Sequence, residues 1–242
     1  MKEKKKFLSS KFKTGCLYLC LMPYALCSFA ASAAEFDAEA PLYFEKARDL
    51  TLRGGLSYGE DILGADARLA YGINDIFVVS ADVKYQQDFD SDRDWDGFSH
   101  VGVNVMYRLS DDNIKSDAFA GVKFSGDAVP AFDETIYSAG LRLGRQWSVA
   151  TLAATVKTSW IFDEIKGMAW INLMPEFYFR ITENWRLGGW LDFQKATDPN
   201  FDQTWTGAKI VRQYGRTQYV AFGQYELNEG EFRFGGRVNV VF

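Results

Sequence analysis

The sequence predicts an all-β fold: a transmembrane antiparallel up-and-down β-barrel of about twelve strands. Three observations carry this. From residue 49 onward the chain alternates apolar and polar side chains with a period of two, which is the repeat of a strand. The connections between the alternating runs are of two kinds, tight and long, and the kinds take turns. The chain also ends inside such an alternation, on Phe242, where soluble domains usually fray into polar residues.

The first 34 residues stand apart. "MKEKKKFLSSKFKTG" holds six lysines and one glutamate, "CLYLCLMPYALCSFA" is apolar, and "ASAAE" supplies small residues for cleavage after Ala33 or Ala34. This reads as a signal peptide for residues 1–34. A membrane anchor would need a longer apolar core. A lipidated cysteine would need small residues before it, and Cys27 follows Leu26. Cys16, Cys20 and Cys27 all lie in the segment to be removed, so the mature chain would carry no disulfide, thiol nucleophile or cysteine metal site. Cleavage would take the charge from 27 basic and 32 acidic residues to 21 and 31, a net of −10. An exported protein this acidic is not a nucleic-acid binder. Residues 35–48, "EFDAEAPLYFEKAR", form a periplasmic lead-in, either a short helix or an inward plug.

The barrel is expected over 49–242, as one domain. The first strand, near 49–58, sets Leu50, Leu52, Gly54, Leu56 and Tyr58 against Thr51, Arg53, Gly55 and Ser57. The second is near 65–73. The third, near 76–87, sets Phe77, Val79, Ala81, Val83 and Tyr85 against Val78, Ser80, Asp82 and Lys84. The fourth, near 98–109, sets Val101, Val103, Val105, Tyr107 and Leu109 against Gly102, Asn104, Met106 and Arg108. Further strands follow near 114–125, 135–146, 148–162, 168–181, 185–195, 204–214, 217–227 and 231–242. Ten or so residues is the length at which a tilted strand crosses a bilayer. Pro175 interrupts the eighth strand and removes a ladder donor, which predicts a bulge there.

The turns "IND", "SDDN", "QWS", "TEN" and "YGR" are tight, whereas "GEDILG", "DFDSDRDWDG", "GDAVPAFDE", "DEIKG", "ATDPNFDQ" and "NEGE" are mostly longer and acidic. Short periplasmic turns and longer external loops give membrane barrels this asymmetry. Tyr71, Phe77, Tyr107, Trp185 and Phe242 fall beside the short turns; Tyr58, Tyr85, Phe124, Tyr137 and Trp160 fall towards the long loops. Two belts of rings suit two membrane interfaces.

The last strand carries a resemblance. Phe232, Phe234, Val238, Val240 and Phe242 face one way, and Arg233, Arg237, Asn239 and Val241 the other. This resembles the closing strand of porin-like outer-membrane β-barrels of Gram-negative bacteria, with the glycine, Gly236, one place off the usual pattern. The resemblance implies that Phe232, Phe234, Val238, Val240 and Phe242 are an assembly signal read by the barrel-assembly machinery. It also implies residence in the outer membrane, against lipid and lipopolysaccharide. A soluble barrel or sandwich would alternate too, with its apolar face inside.

With the apolar face in lipid, the other face lines the lumen. It carries Arg53, Arg68, Lys84, Arg108, Lys123, Arg142, Lys157, Arg180, Arg186, Lys209, Arg233 and Arg237, against Asp66, Asp82, Asp117, Glu176, Asp192, Glu226 and Glu231. Twelve basic against seven acidic side chains makes either a narrow channel for small, anionic solutes or a set of pairs that closes the lumen. The second case would leave a non-conducting structural or surface-binding protein. Trp170, Tyr178 and Trp190 also point inward and could stack against solutes or pack on arginine stems.

Nothing predicts an enzyme or a cofactor. His100 is the one histidine, and its neighbour Ser99 should face the opposite way on a strand. Asp92, Asp94 and Asp96, followed by Gly97, resemble the start of a calcium loop, but Val103 stands where the closing glutamate belongs. A solvated loop bridging divalent ions to lipopolysaccharide accounts for them better.

Overall fold

The computed structural model describes residues 37–89, 97–125, 135–161, 167–198 and 202–242. The proposed signal peptide with its cysteines lies outside the described residues, as do Asp92, Asp94, Asp96 and most of the longest loops. Among the described residues twelve strands run in order: β1 (Leu50–Gly59), β2 (Ile62–Asn74), β3 (Phe77–Asp88), β4 (Gly97–Asp111), β5 (Lys115–Ser125), β6 (Thr135–Gln146), β7 (Ala150–Ile161), β8 (Met168–Arg180), β9 (Trp185–Ala196), β10 (Gln203–Tyr214), β11 (Thr217–Glu226) and β12 (Phe232–Val241). Each pairs antiparallel with its neighbours, and β1 pairs with β12 from Thr51 opposite Val241 to Tyr58 opposite Phe234. The sheet is therefore a closed up-and-down barrel. Closure removes the unpaired backbone edges that hydrocarbon would penalise by several kcal/mol per group.

The two faces are inverted relative to a water-soluble protein. On β4, Val101, Val103, Val105, Tyr107 and Leu109 are exposed on the outer wall, while Arg108 between them is 7% exposed. The most buried side chains include Asp117 and Gln218 at 0% and Asn239 at 1%. An apolar wall continuous around the barrel and a polar interior suit a lipid surround. No helix of the described residues is long and apolar enough to cross a membrane; the crossing elements are strands. Tyr71, Tyr107, Trp185 and Phe242 are exposed at the short-turn end, and Tyr58, Tyr85, Phe124 and Tyr137 at the other. Tyr58 packs 5.8 Å from Phe234, and Tyr137 stacks on Trp160 at 6.5 Å, both across strand pairs.

The structure departs from the sequence expectation in two places along the wall. "GEDILG" is not a longer loop: β2 begins at Ile62, so Glu60 and Asp61 alone connect β1 to β2. Both have positive φ, 50° and 60°, as a two-residue hairpin turn of matching twist requires. The Tyr58 hydroxyl donates to the Asp61 carboxylate at 3.0 Å and steadies the turn. Pro175 makes no bulge either. The ladder to β9 runs from Leu173 opposite Phe193 to Glu176 opposite Trp190 without a register change, and leaves out Met174 and Pro175. The missing donor costs a gap in the ladder, and pairing with β7 continues unbroken through Ala154 opposite Pro175.

Candidate functional site

The interior divides into two levels. In the half beside the short turns, residues 37–46 lie against the inner wall. They hold turns and no helix, and they reach the wall mainly through side chains. Asp37 accepts hydrogen bonds from the Tyr178 hydroxyl at 2.7 Å and from Gln218 Nε2 at 2.7 Å, and it pairs with Arg186 Nε at 2.7 Å. Glu39 pairs with Lys209 at 2.9 Å, accepts from Asn239 Nδ2 at 2.9 Å, and stands 3.8 Å from Arg237. Ala40 packs with Tyr178, Val211 and Val220, joined by Tyr43. Each wall residue named here lies in the part of its strand nearer a short turn, which fixes the level of the segment.

Across the lumen the same segment is held by its backbone. Asp117, 0% exposed, takes Arg108 Nε at 2.5 Å and Arg142 Nη2 at 2.5 Å. The two guanidinium groups then donate to the segment's carbonyls, Arg108 to Leu42 O at 3.3 Å and Arg142 to Tyr43 O at 2.8 Å. The Arg108 guanidinium also lies over the Phe44 ring at 4.4 Å. Burial alone would raise the Glu39 carboxyl, but Lys209 and Arg53 outweigh it and hold it below the ordinary carboxylate range. At Asp37 and Glu45 burial prevails over their arginine neighbours, Arg186 and Arg68, and pushes both carboxyls up. Arg53 Nε, Arg68 Nε and Asn239 Oδ1 have no partner among the described residues. All three residues border a polar cavity of about 30 Å³ beside Glu45, which is room for one water.

The half towards the long loops is different. Lys84 on β3, Lys123 on β5 and Lys157 on β7 face the lumen there, near enough for Lys123 to repel both of the others. Among the described residues none of the three makes a close ion pair, although Asp66 stands opposite Lys84, Asp192 attracts Lys157 and Lys123 attracts Asp82. Asp82 is held instead by His100 Nε2 at 3.0 Å and Asn104 Nδ2 at 2.7 Å. Gly102 makes room for this cluster: a Cβ there would stand 2.9 Å from both Asp82 oxygens. Asp192 accepts from Asn172 at 3.0 Å. Arg233 pairs with Glu231 at 3.1 Å and lies over the Trp205 ring at 4.6 Å.

The structure therefore places the sequence-predicted lumen residues at two levels. Arg53, Arg68, Arg108, Arg142, Arg186 and Lys209 lie around residues 37–46. Asp82, Lys84, Lys123, Lys157 and Asp192 lie beyond them. Glu176 is in reach of the charges of Lys209 and Arg142, and Arg180 is opposite Arg186 at the end of β8. Trp170 and Trp190 are half-buried, and Gly207 leaves the space that the Trp190 indole fills. In β12, Phe232, Phe234 and Phe242 are exposed outward, with Val238 and Val240 half-buried between inward residues.

Ser99 and His100 do not face opposite ways. The ladder from β3 shifts between Lys84 opposite His100 and Tyr85 opposite Phe98, so Ser99 is the extra residue of a bulge and both side chains turn inward. Ser99 Oγ lies 3.4 Å from His100 Nδ1 and donates to Lys84 O at 3.4 Å. The hydroxyl is buried and shared with a backbone carbonyl, a poor arrangement for a nucleophile.

No family model matches the chain, and no curated protein matches it in sequence. Solved structures match it in shape. The KdgM porin aligns with a TM-score of 0.62 at 12% identity, covering 79% of this chain and 99% of that one. The NanC porin gives 0.63 at 12% identity, over 79% and 98%. The COG4313 outer membrane channel from Pseudomonas putida F1 gives 0.62 at 10% identity, over 86% and 100%. The fold is that of the outer-membrane porins. The KdgM porin has also been solved in complex with disordered oligogalacturonate, an alignment with a TM-score of 0.60 at 12% identity over 80% of this chain and 99% of that one. In a porin barrel, lumen side chains decide what passes, so the two levels of charge described above are where this chain's own chemistry lies.

Proposed function

We propose that the protein is an outer-membrane channel for small, anionic solutes and not an enzyme. The observation that carries the reading is the lysine row Lys84, Lys123 and Lys157. These ammonium groups face the lumen on alternate strands, and among the described residues none makes a close ion pair, although Asp66, Asp82 and Asp192 stand at longer range. Cations held in a confined polar passage raise the local concentration of anions. The acidic sugar polymer bound by the KdgM porin belongs to the same charge class. The apolar outer wall meets membrane lipid, with lipopolysaccharide at the long-loop belt. The outward row Phe232, Phe234, Val238, Val240 and Phe242 serves as the signal for barrel assembly. Residues 1–34 direct export and are removed.

The test is the reversal potential of single channels in planar bilayers under a potassium chloride gradient. Chloride should permeate faster than potassium, and changing Lys84, Lys123 and Lys157 together to Gln should bring the permeability ratio at least threefold nearer to one. A cation-preferring channel would overturn the reading. A trace closed at all voltages would favour a non-conducting structural protein.

A further inference from the structure

Residues 37–46 behave as a ligand of the wall more than as part of it. Among the described residues their backbone-to-backbone hydrogen bonds stay within the segment, Ala40 N to Asp37 O and Tyr43 N to Ala40 O, and bonding to the barrel backbone begins only at Arg48 N to Gly72 O. Beside the carbonyl contacts of Glu39, Leu42 and Tyr43 and the packing of Ala40, what holds them is carboxylate pairing of Asp37 and Glu39 with wall cations and amides, and that is the chemistry expected to hold an anionic solute. Apart from Val211 and Val220, which Ala40 covers, the surface beneath them is polar. Gln218, Asn239, Arg186 and Tyr178 are at most 4% exposed while covered, yet all are polar or polar-tipped. A wall patch covered for good is better filled with apolar groups, because buried ions are costly to desolvate. With residues 1–34 removed, as proposed, the segment is tethered to the barrel at β1 alone. Extended, its ten residues span about 35 Å, enough to leave the barrel without breaking a strand.

We propose that residues 37–46 are a tethered plug whose Asp37 and Glu39 mimic the solute. The wall beneath, Tyr178, Arg186, Lys209, Gln218, Arg237 and Asn239, is a second carboxylate-binding site that a polycarboxylate occupies by displacing the plug. The identity of the displacing ligand rests on the anion-channel reading. The device gives a channel that is narrow when idle and widens when its anionic solute is abundant.

The test uses Ala40→Cys in the full chain, with Cys16, Cys20 and Cys27 changed to Ser so that one thiol remains. Ala40 is 8% exposed among Tyr178, Val211 and Val220, so the thiol should react slowly with a small maleimide while the plug is seated. Citrate is the probe, with sodium chloride at equal ionic strength and sorbitol as controls. Citrate should raise the labelling rate at least threefold and the controls should not. Adding Asp37→Asn and Glu39→Gln should give fast labelling without citrate. A rate indifferent to citrate, or raised equally by chloride, would overturn the proposal, as would slow labelling in the neutralised variant. Bilayer currents separate this from the channel reading. An anion current with citrate-insensitive labelling removes the plug alone, whereas citrate-driven release without any anion current removes the channel reading and keeps the site.

Discussion

Changing Asp117 to Asn is the sharpest test of how the barrel interior is held. Asp117 is 0% exposed and neutralises two guanidinium groups, Arg108 at 2.5 Å and Arg142 at 2.5 Å, which are themselves 7% and 17% exposed. An asparagine keeps the shape but removes the one charge that the two cations share and turns donors towards donors; Arg108 keeps the exposed Asp111 at 2.5 Å, and Arg142 loses its paired carboxylate. Removing one partner of a buried ion pair costs about 3–5 kcal/mol, because the remaining charge stays desolvated. Arg142 is the more exposed of the two and retains some hydration, so the lower end, about 3 kcal/mol, is expected here. That is roughly two decades in the folded-to-unfolded ratio. The assay is urea-driven unfolding from lipid vesicles, followed by tryptophan fluorescence. The companion variant Arg108→Met, Asp117→Leu, Arg142→Met removes the three buried charges at once, leaves the exposed Asp111 to Lys115, and should recover at least half of the loss. A stability of Asp117→Asn within about 0.5 kcal/mol of the parent, the usual range for an inconsequential surface change, would refute the argument.

Two further outcomes follow from the same structure. Val103→Arg places a guanidinium on the outer wall of β4 and should cost about 2–4 kcal/mol in lipid vesicles, the price of a charge near the bilayer midplane; an unchanged urea midpoint would mean that this face does not meet hydrocarbon. Glu39→Gln should speed maleimide labelling at position 40 by a factor that depends on pH. The Glu39 carboxyl is held below its ordinary range in the seated plug, by Lys209 and Arg53 against burial, with Asn239 donating to it. Its contribution is therefore complete above the ordinary carboxylate pKa of about 4.3 and is lost as pH falls through the lowered value. Parent and Glu39→Gln should differ at neutral pH and converge only in strong acid; a difference that grows as the pH falls would reverse the sign and discard the account.

How much of this could be read from the sequence depends on which symmetry a feature obeys. A period of two says which side of a sheet a residue faces, so Val103 outward and Arg108 inward were legible. It says nothing where the period breaks. The Glu60–Asp61 turn was hidden because Ile62 and Leu63 are both apolar and blur the alternation, and neither turn residue is the glycine or asparagine that usually marks positive φ. The bulge at Ser99 adds one residue and swings a side chain inward with no change in composition. Pro175 misled in the other direction: a ladder can lose a bond without losing its register. The level of a residue along the barrel axis, and its partner across the lumen, are set by the closure of the whole sheet, and no local pattern encodes them.

One signal for the plug was nevertheless present. The sequence alternation sets twelve basic against seven acidic side chains on the inward face, an imbalance that a confined interior does not tolerate without counterions. The residues just before β1 carry Asp37, Glu39 and Glu45, and the structure sets these against Arg186, Lys209 and Arg68. The excess charge thus separates into two parts. Around the plug the cations have fixed anions and serve cohesion, which is why Arg108 and Arg142, bound to Asp117 and to the carbonyls of Leu42 and Tyr43, are poor candidates for setting ion preference. Lys84, Lys123 and Lys157 remain, with no carboxylate in ion-pair contact among the described residues and Asp66, Asp82 and Asp192 only at longer range, which leaves them available to a passing anion. On the proposed reading, the half of the lumen towards the long loops sets ion preference and the half beside the short turns gates, so the lysine substitutions and the plug substitutions should act on different observables, permeability ratio in one case and thiol access in the other.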